Sequence, residues 1–297
     1  MIVQRSAIVV LFALALGMAG CGPSIPRDQV QHANAAYEAV AARSEPVLTE
    51  LSIAERRTFV RTLASGGAPR DDDIVIPSIF DPESAAYFST IGDPVLTTSL
   101  RRALGVVGDY FKLLVALAEG RNIDEAKAQV NALAGSVAGI ITVATGGAGL
   151  PIVAIADKLA PLIERWAEAK NAEELRRLVL EGEPIVKSLI ASLQSASITM
   201  YETLTREPMR AVRTTLADNA TARHTAFVRM AESQTLLADY VVLLGKLNNT
   251  LSALAAAVRS PGSPLALSSL AASADSVLIQ ARVASGAIAL IKAGRAP

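Results

Sequence analysis

The chain has 297 residues, 51% of them hydrophobic but only 4% aromatic, and its 28 basic side chains are balanced by 28 acidic ones. Such a balance argues against a nucleic-acid footprint and against a polybasic surface for anionic lipid. One cysteine, Cys21, rules out any intramolecular disulfide, and the scarcity of aromatics beside abundant Ala, Leu, Val and Ser suits packed helices better than sheets.

The chain opens Met1-Ile2-Val3-Gln4-Arg5, runs apolar from Ala7 to Met18, and reaches Met18-Ala19-Gly20-Cys21. A positive start, a short apolar core and small residues before a cleavage point form a secretory signal peptide over residues 1–20. The apolar run is too short to span a bilayer, which takes about 20 residues. Met18-Ala19-Gly20-Cys21 resembles the lipobox of bacterial lipoprotein precursors, with Met18 in place of the usual Leu. The resemblance implies that Cys21 becomes the mature N-terminus, with a thioether-linked diacylglycerol and an acylated amine. More than one acyl chain is what stable anchoring requires. Gly22, not Asp, follows the lipid site, which in a Gram-negative lipoprotein implies sorting to the outer membrane. Removing Arg5 with the signal leaves 27 basic and 28 acidic residues.

Residues 21–27 form a lipidated tether, stiffened by Pro23 and Pro26, and a helical domain is expected over 28–297. Asp28 can cap a first helix, with Val30, Ala33, Tyr37 and Val40 on one face. Pro46 should interrupt it, and Ser52-Ile53-Ala54-Glu55 has the capping-box pattern to restart it as far as Leu63. An irregular segment follows near residues 65–92, with Gly66-Gly67, Asp71-Asp72-Asp73, Pro77 and Pro82. Asp81-Pro82 and Asp93-Pro94 each read as an N-cap followed by proline at the first helical position.

Leu100, Ala103, Val107, Tyr110, Leu114 and Leu117 then recur three and four apart, to a stop at Gly120. Ile123, Ala126, Val130, Leu133, Val137, Ile140 and Ala144 repeat the pattern. After Gly146-Gly147-Ala148-Gly149 a helix should run from Pro151 through Trp166 to about Glu181. Gly182-Glu183-Pro184 restarts it, and Pro208 should kink or divide the next segment. Between Met209 and Val258 the only breaker is Gly245, so those fifty residues would form a rod of about 75 Å if unbroken. Ser260-Pro261-Gly262-Ser263-Pro264 turns the chain into a last helix carrying Leu267, Leu270, Ala274 and Val277. The spacing predicts an all-α fold: an elongated antiparallel bundle of long helices with coiled-coil-like packing.

No residue from 128 to 156 is charged. The glycines Gly146, Gly147 and Gly149 divide this stretch into two arms, each too short to cross a membrane straight. Gly135 and Gly139 stand four apart, a small-xxx-small pattern that lets two backbones approach closely. One reading makes this hairpin the buried centre of the bundle, since a helix apolar all round belongs inside a large core. The other makes it a latent membrane-inserting hairpin, as in the long-helix pore-forming toxins, which the chain resembles in general layout. Ile140 lies on the stripe that either reading must place.

Catalytic chemistry is thinly supplied. His32 and His224 are far apart within helices, and no HExxH, P-loop or dinucleotide glycine pattern occurs. Asp71-Asp72-Asp73 does not continue into a calcium-loop spacing. Glu164, Glu168, Glu173 and Glu174, beside Arg165, Lys170, Arg176 and Arg177, suit helix-surface ion pairing. The expectation is a non-enzymatic envelope lipoprotein with no cofactor and no metal, anchored by lipid and serving a structural or partner-binding role with another envelope protein.

Overall fold

A computed structural model describes residues 25–65, 82–89, 91–144, 151–214 and 220–294. Their regular structure is helical throughout, with no strand among the described residues, so the chain is an all-α bundle. Helix α1 spans Arg27–Ser65, followed by a 3-10 turn Pro82–Ser84 and the short α2, Ala85–Phe88. Helices α3 (Val95–Ala118), α4 (Ile123–Ala144), α5 (Pro151–Ala167) and α6 (Ala172–Glu181) come next. The remainder is α7 (Glu183–Ser195), α8 (Ser197–Thr214), α9 (Ala220–Arg259) and α10 (Pro264–Gly294).

Side-chain pairings fix the directions. Arg27 meets Glu119, Tyr37 donates to the Leu104 carbonyl, and Glu55 reaches Leu96, so α1 and α3 are antiparallel. Ser136 donates to Asp109, and Arg102 to the Gly139 carbonyl, which sets α4 antiparallel to α3. Lys246 and Ser276 meet at 2.6 Å across the antiparallel pair α9 and α10. Gln194 to the Val241 carbonyl and Arg259 to Glu183 do the same for α7 and α9.

Helix α3 is the hub, packing against α1, α4, α7 and α9. All six stripe residues from Leu100 to Leu117 are buried, and so are Val106, Gly108, Phe111, Leu113 and Ala116 on its other sides. Its end is set by Gly120, at φ 66. The amide of Arg121 donates to the Ala116 carbonyl and that of Gly120 to Leu117, a Schellman closure that needs a residue at ease with positive φ.

Several boundaries differ from the sequence-based expectation, each for a physical reason. Pro46 lies inside an unbroken α1, whose 39 residues give about 58 Å of helix. Ser52 is buried and starts no new helix; Glu55, its expected capping partner, turns outward to α3. Pro208 likewise sits inside α8; of the expected rod, the stretch up to Thr214 belongs to α8 and the 40 residues from Ala220 form α9, while residues 215–219 lie outside the described ones. The helix from Pro151 stops at Ala167 instead of Glu181, because Asn171 starts α6 by accepting from the Glu174 amide at 2.9 Å. The expected Asp93 N-cap is also replaced. Pro94 takes that position, and the Asp93 carboxylate pairs with Arg101 at 2.6 Å. The Asp71-Asp72-Asp73 run lies outside the described residues.

Candidate functional site

The uncharged hairpin is the first candidate. On α4, Ala126, Val130, Leu133, Val137 and Ile140 are buried against α3 and α5, with Ile140 only 1% exposed. On α5 the matching inward set is Ile152, Ala156, Leu159, Ile163 and Trp166. The opposite face of α4, carrying Ala128, Asn131, Ala132, Gly135 and Ala138, is open to solvent. The reading that made the hairpin the centre of the bundle is therefore corrected: α4 is a peripheral helix with one buried stripe. Beyond Asp124 and Glu125 in its first turn, its outer face is uncharged and built mostly of small residues, whose modest apolar area is tolerated in water.

Polar contacts pin α4 to the hub along the edge of this seam. Asp109 accepts from the Ser136 hydroxyl at 2.6 Å and also meets Lys112 at 3.2 Å, while Arg102 bonds the Gly139 carbonyl. A Cβ on Gly139 would stand 3.4 Å from Arg102, and one on Gly135 would meet nothing within 4 Å. The expected close approach of two backbones at Gly135 and Gly139 is thus not made. Gly139 gives room to a guanidinium and Gly135 to solvent. Gly146, Gly147, Gly149 and Cys21 lie outside the described residues. Among the described residues, the helix long and apolar enough to cross a membrane is α9, not the hairpin, and 56% of its apolar window is buried.

The second candidate is a groove of about 200 Å³ between the middle of α1 and the approach to α3, lined by Thr49, Ser52, Ile53, Arg56, Ile91, Gly92, Asp93 and Arg101. Beside it Glu55 accepts from the Leu96 amide at 3.0 Å, and from the amide and hydroxyl of Thr97 at 3.1 and 3.0 Å. A carboxylate from α1 thereby satisfies the free amides that begin α3 and lies at the positive end of its dipole. Burial raises the Glu55 carboxyl above its ordinary value, and these three bonds oppose the rise. Arg101 meets both Glu45 and Asp93, and Arg56 bonds the Gly92 carbonyl. The whole cluster acts as a clasp between α1 and α3. Nothing in the S-x-x-E pattern announces it, since Glu55 serves a helix 41 residues away.

A third candidate is a shallow basin of about 410 Å³, lined by Glu173, Arg176, Arg177, Leu180 and Glu181 of α6 together with Arg259 of α9. Arg176 meets Glu173 at 3.3 Å, Arg177 meets Glu181 at 3.1 Å, and Arg259 meets Glu183 at 3.1 Å. The Glu173–Arg176 pair is one the sequence suggested; Glu181, which takes Arg177, and Arg259, which folding brings in, are additions. Each guanidinium already holds a carboxylate, so the basin is a solvent-screened ion-pair network of small energetic weight.

Three tyrosines have titrations displaced by packing. Burial pushes the Tyr37 phenol up to about 12, and its hydroxyl donates to the Leu104 carbonyl at 3.2 Å. Burial likewise raises Tyr110, which bonds the Val179 carbonyl at 2.8 Å, and Tyr240. His32 meets Asp275 at 2.7 Å on the surface, and His224 is exposed. Among the described residues, no cluster of three or more His, Cys, Asp or Glu is placed to hold a metal. No protein-family model, curated protein or solved structure matches the chain.

Proposed function

We propose that the chain is an envelope lipoprotein, anchored through lipid on Cys21, whose helical bundle is a non-enzymatic scaffold that spaces or binds another envelope protein. The observation that carries this reading is Met18-Ala19-Gly20-Cys21, with the sole cysteine at the acceptor position. Support comes from the short interval that follows. Only residues 22–26 separate Cys21 from α1, so Arg27 would stand within about 20 Å of the lipid, and the long helices would project from it. The groups with displaced titration add support, because Tyr37, Glu55 and Tyr110 each spend their polar atoms on holding helices together. Mass spectrometry of the mature protein should find an N-terminal peptide beginning at Cys21 with the mass of lipid. An unmodified thiol there would refute the anchor.

A second reading, insertion of hairpin 128–156 into a membrane in the general manner of α-helical pore formers, is favoured by the uncharged outer face of α4. Its cost is set by the seam. Detaching the hairpin exposes Val130, Leu133, Val137, Ile140, Ile152, Leu159 and Ile163, at about 1.5–3 kcal/mol each, an uphill step of over 10 kcal/mol that lipid must repay. An Ile140→Asp protein tests it. Loss of the soluble fold would support the packed seam, whereas an unaltered melting temperature with loss of liposome leakage would establish insertion.

A further inference from the structure

Helix α10 is apolar on more than its inner side. Between Pro264 and Ile291 its charged residues are Asp275 and Arg282. One face, with Leu270, Ala274, Val277, Ala281 and Ala284, is buried where α10 packs on α1 and α9. Among the described residues nothing covers the opposite face, which carries Leu265 at 80% exposure, Ile279 at 60% and Val283 at 62%. A helix hydrophobic all round belongs in an interior, so this outer face lacks a covering surface.

The exposed side chains are aligned, not scattered. Leu265, Ser269, Ala272, Ser276, Ile279 and Val283 alternate four and three apart, the spacing of a seam that packs on another helix. The Lys246 ammonium of α9 donates to the Ser276 hydroxyl at the edge of this seam. Val242, 45% exposed and four residues before Lys246, widens the apolar patch beside Ile279. Contiguous apolar surface with a polar rim marks an interaction site.

Charge indicates the occupant. On the edge of the seam along α1, Asp275 and Arg282 are seven residues apart and so on one side of the helix. On the edge along α9, Asp239 and Lys246 are likewise seven apart. Because α9 runs antiparallel to α10, Asp239 lies near the level of Val283. Each edge thus carries an acid and a base set about the level of Ile279. Such an arrangement is its own complement. A second copy laid antiparallel along the seam brings Asp275 of each copy to Arg282 of the other, and Lys246 of each to Asp239 of the other. The same register sets Ile279 of each copy against Ser276 of the other, and Val283 against Ala272, large side chains against small. Asp275 also holds His32 at 2.7 Å through one oxygen, and a carboxylate has a second to offer. With two acids and two bases along its edges, the face has no net attraction for anionic lipid.

We propose that the outer face of α10, centred on Ile279, is the seam of an antiparallel homodimer with two-fold symmetry. Dimerisation of this kind does not depend on Cys21.

Sedimentation velocity tests the proposal with residues 22–297, which hold the described core from Ile25 onward and carry no lipid. The expected result is a concentration-dependent equilibrium between monomer and dimer. Ile279→Glu removes two apolar contacts per dimer and should raise the dissociation constant by on the order of a hundred-fold. Asp275→Arg alone and Arg282→Asp alone each set like charges face to face, and should each weaken the dimer by roughly ten-fold. An equimolar mixture of those two variants should regain the native affinity, because between unlike copies each of these contacts is again an Arg–Asp pair. All three positions are exposed, so circular dichroism spectra should be unchanged and separate lost pairing from lost fold. Monomer at every concentration, a dimer indifferent to Ile279→Glu, or a mixture no tighter than either variant alone would overturn the proposal. Flotation of the monomer on phosphatidylcholine vesicles, without a dimer in solution, would also overturn it.

Discussion

Helices α3 and α4 are neighbours of similar length, and their sequences invite opposite assignments. Helix α4 is nearly free of charge over its second half, whereas α3 carries Arg101, Arg102, Asp109 and Lys112. Yet α3 is the helix covered on nearly all sides, and α4 lies at the edge with Ala128, Ala132, Gly135 and Ala138 in water. Charge, then, is a poor guide to depth in a helical bundle. The charged residues of α3 reach out between neighbouring helices and are spent on pairing: Arg101 with Glu45 and Asp93, Arg102 with Gly139, and Asp109 with Ser136 and Lys112. Side-chain size is the better guide. Leu, Phe and Tyr crowd α3, and Ala, Gly and Asn make up the outer face of the uncharged part of α4.

Glycines in the two helices offer the sharpest contrast. A Cβ added at Gly108 of α3 would fall 2.1 Å from the Tyr37 hydroxyl oxygen and 2.3 Å from its ring. Gly108→Ala should force that ring away from Phe111 and break its bond to Leu104, destabilising the protein by about 1–3 kcal/mol in urea unfolding. The same change in a Tyr37→Ala background should cost much less, because the clash is gone. Equal costs in both backgrounds would dissociate Gly108 from Tyr37.

The two helices also begin differently. Asn122 caps α4 locally, accepting from the Glu125 amide at 2.9 Å, while α3 depends on Glu55 of α1. Glu55→Ala should cost about 1 kcal/mol, the usual worth of a cap. The pH dependence is more diagnostic. With its folded pKa raised by burial, Glu55 binds its proton more tightly in the native state. Its contribution to stability is therefore full in acid and is lost as pH rises through that pKa. Glu55→Gln does not titrate, so its stability relative to the native protein should rise between about pH 4 and pH 7. A difference that stays flat over that range would contradict the burial.

A smaller effect of opposite sign is expected at Gly135. Open space surrounds it, so Gly135→Ala should stabilise α4 by about 0.5–1 kcal/mol through helix propensity. A loss instead of a gain would mean that another surface covers this face.

What the sequence made legible was periodicity. The stripes from Leu100 to Leu117 and from Ala126 to Ile140 are buried where three-four spacing puts them. Less legible was anything decided between helices. Pro46 is absorbed where buried residues on both sides of it, Val40 and Ser44 before and Val47 and Leu48 after, hold α1 in line, and Pro208 lies within α8 as well. Glu55 and Arg259 act on partners distant in sequence, and no local pattern encodes such partners. The start of α6 was legible in principle, because Asn171-Ala172-Glu173-Glu174 carries the N-cap spacing that the apolar periodicity overshadowed.

The central claim, that α4 has one packed face and one wet face, can be tested on two adjacent residues. Leu133 is fully buried and Ala132 is exposed. Thermal denaturation of Leu133→Glu and Ala132→Glu, followed by circular dichroism, should give opposite results. Leu133→Glu must bury a charge without a partner, which costs several kcal/mol and should abolish cooperative melting. Ala132→Glu should melt within a few degrees of the native protein, as surface changes do. Unfolding by both changes would place α4 at the centre of the bundle, and tolerance of both would show that the hairpin is not packed on α3 at all.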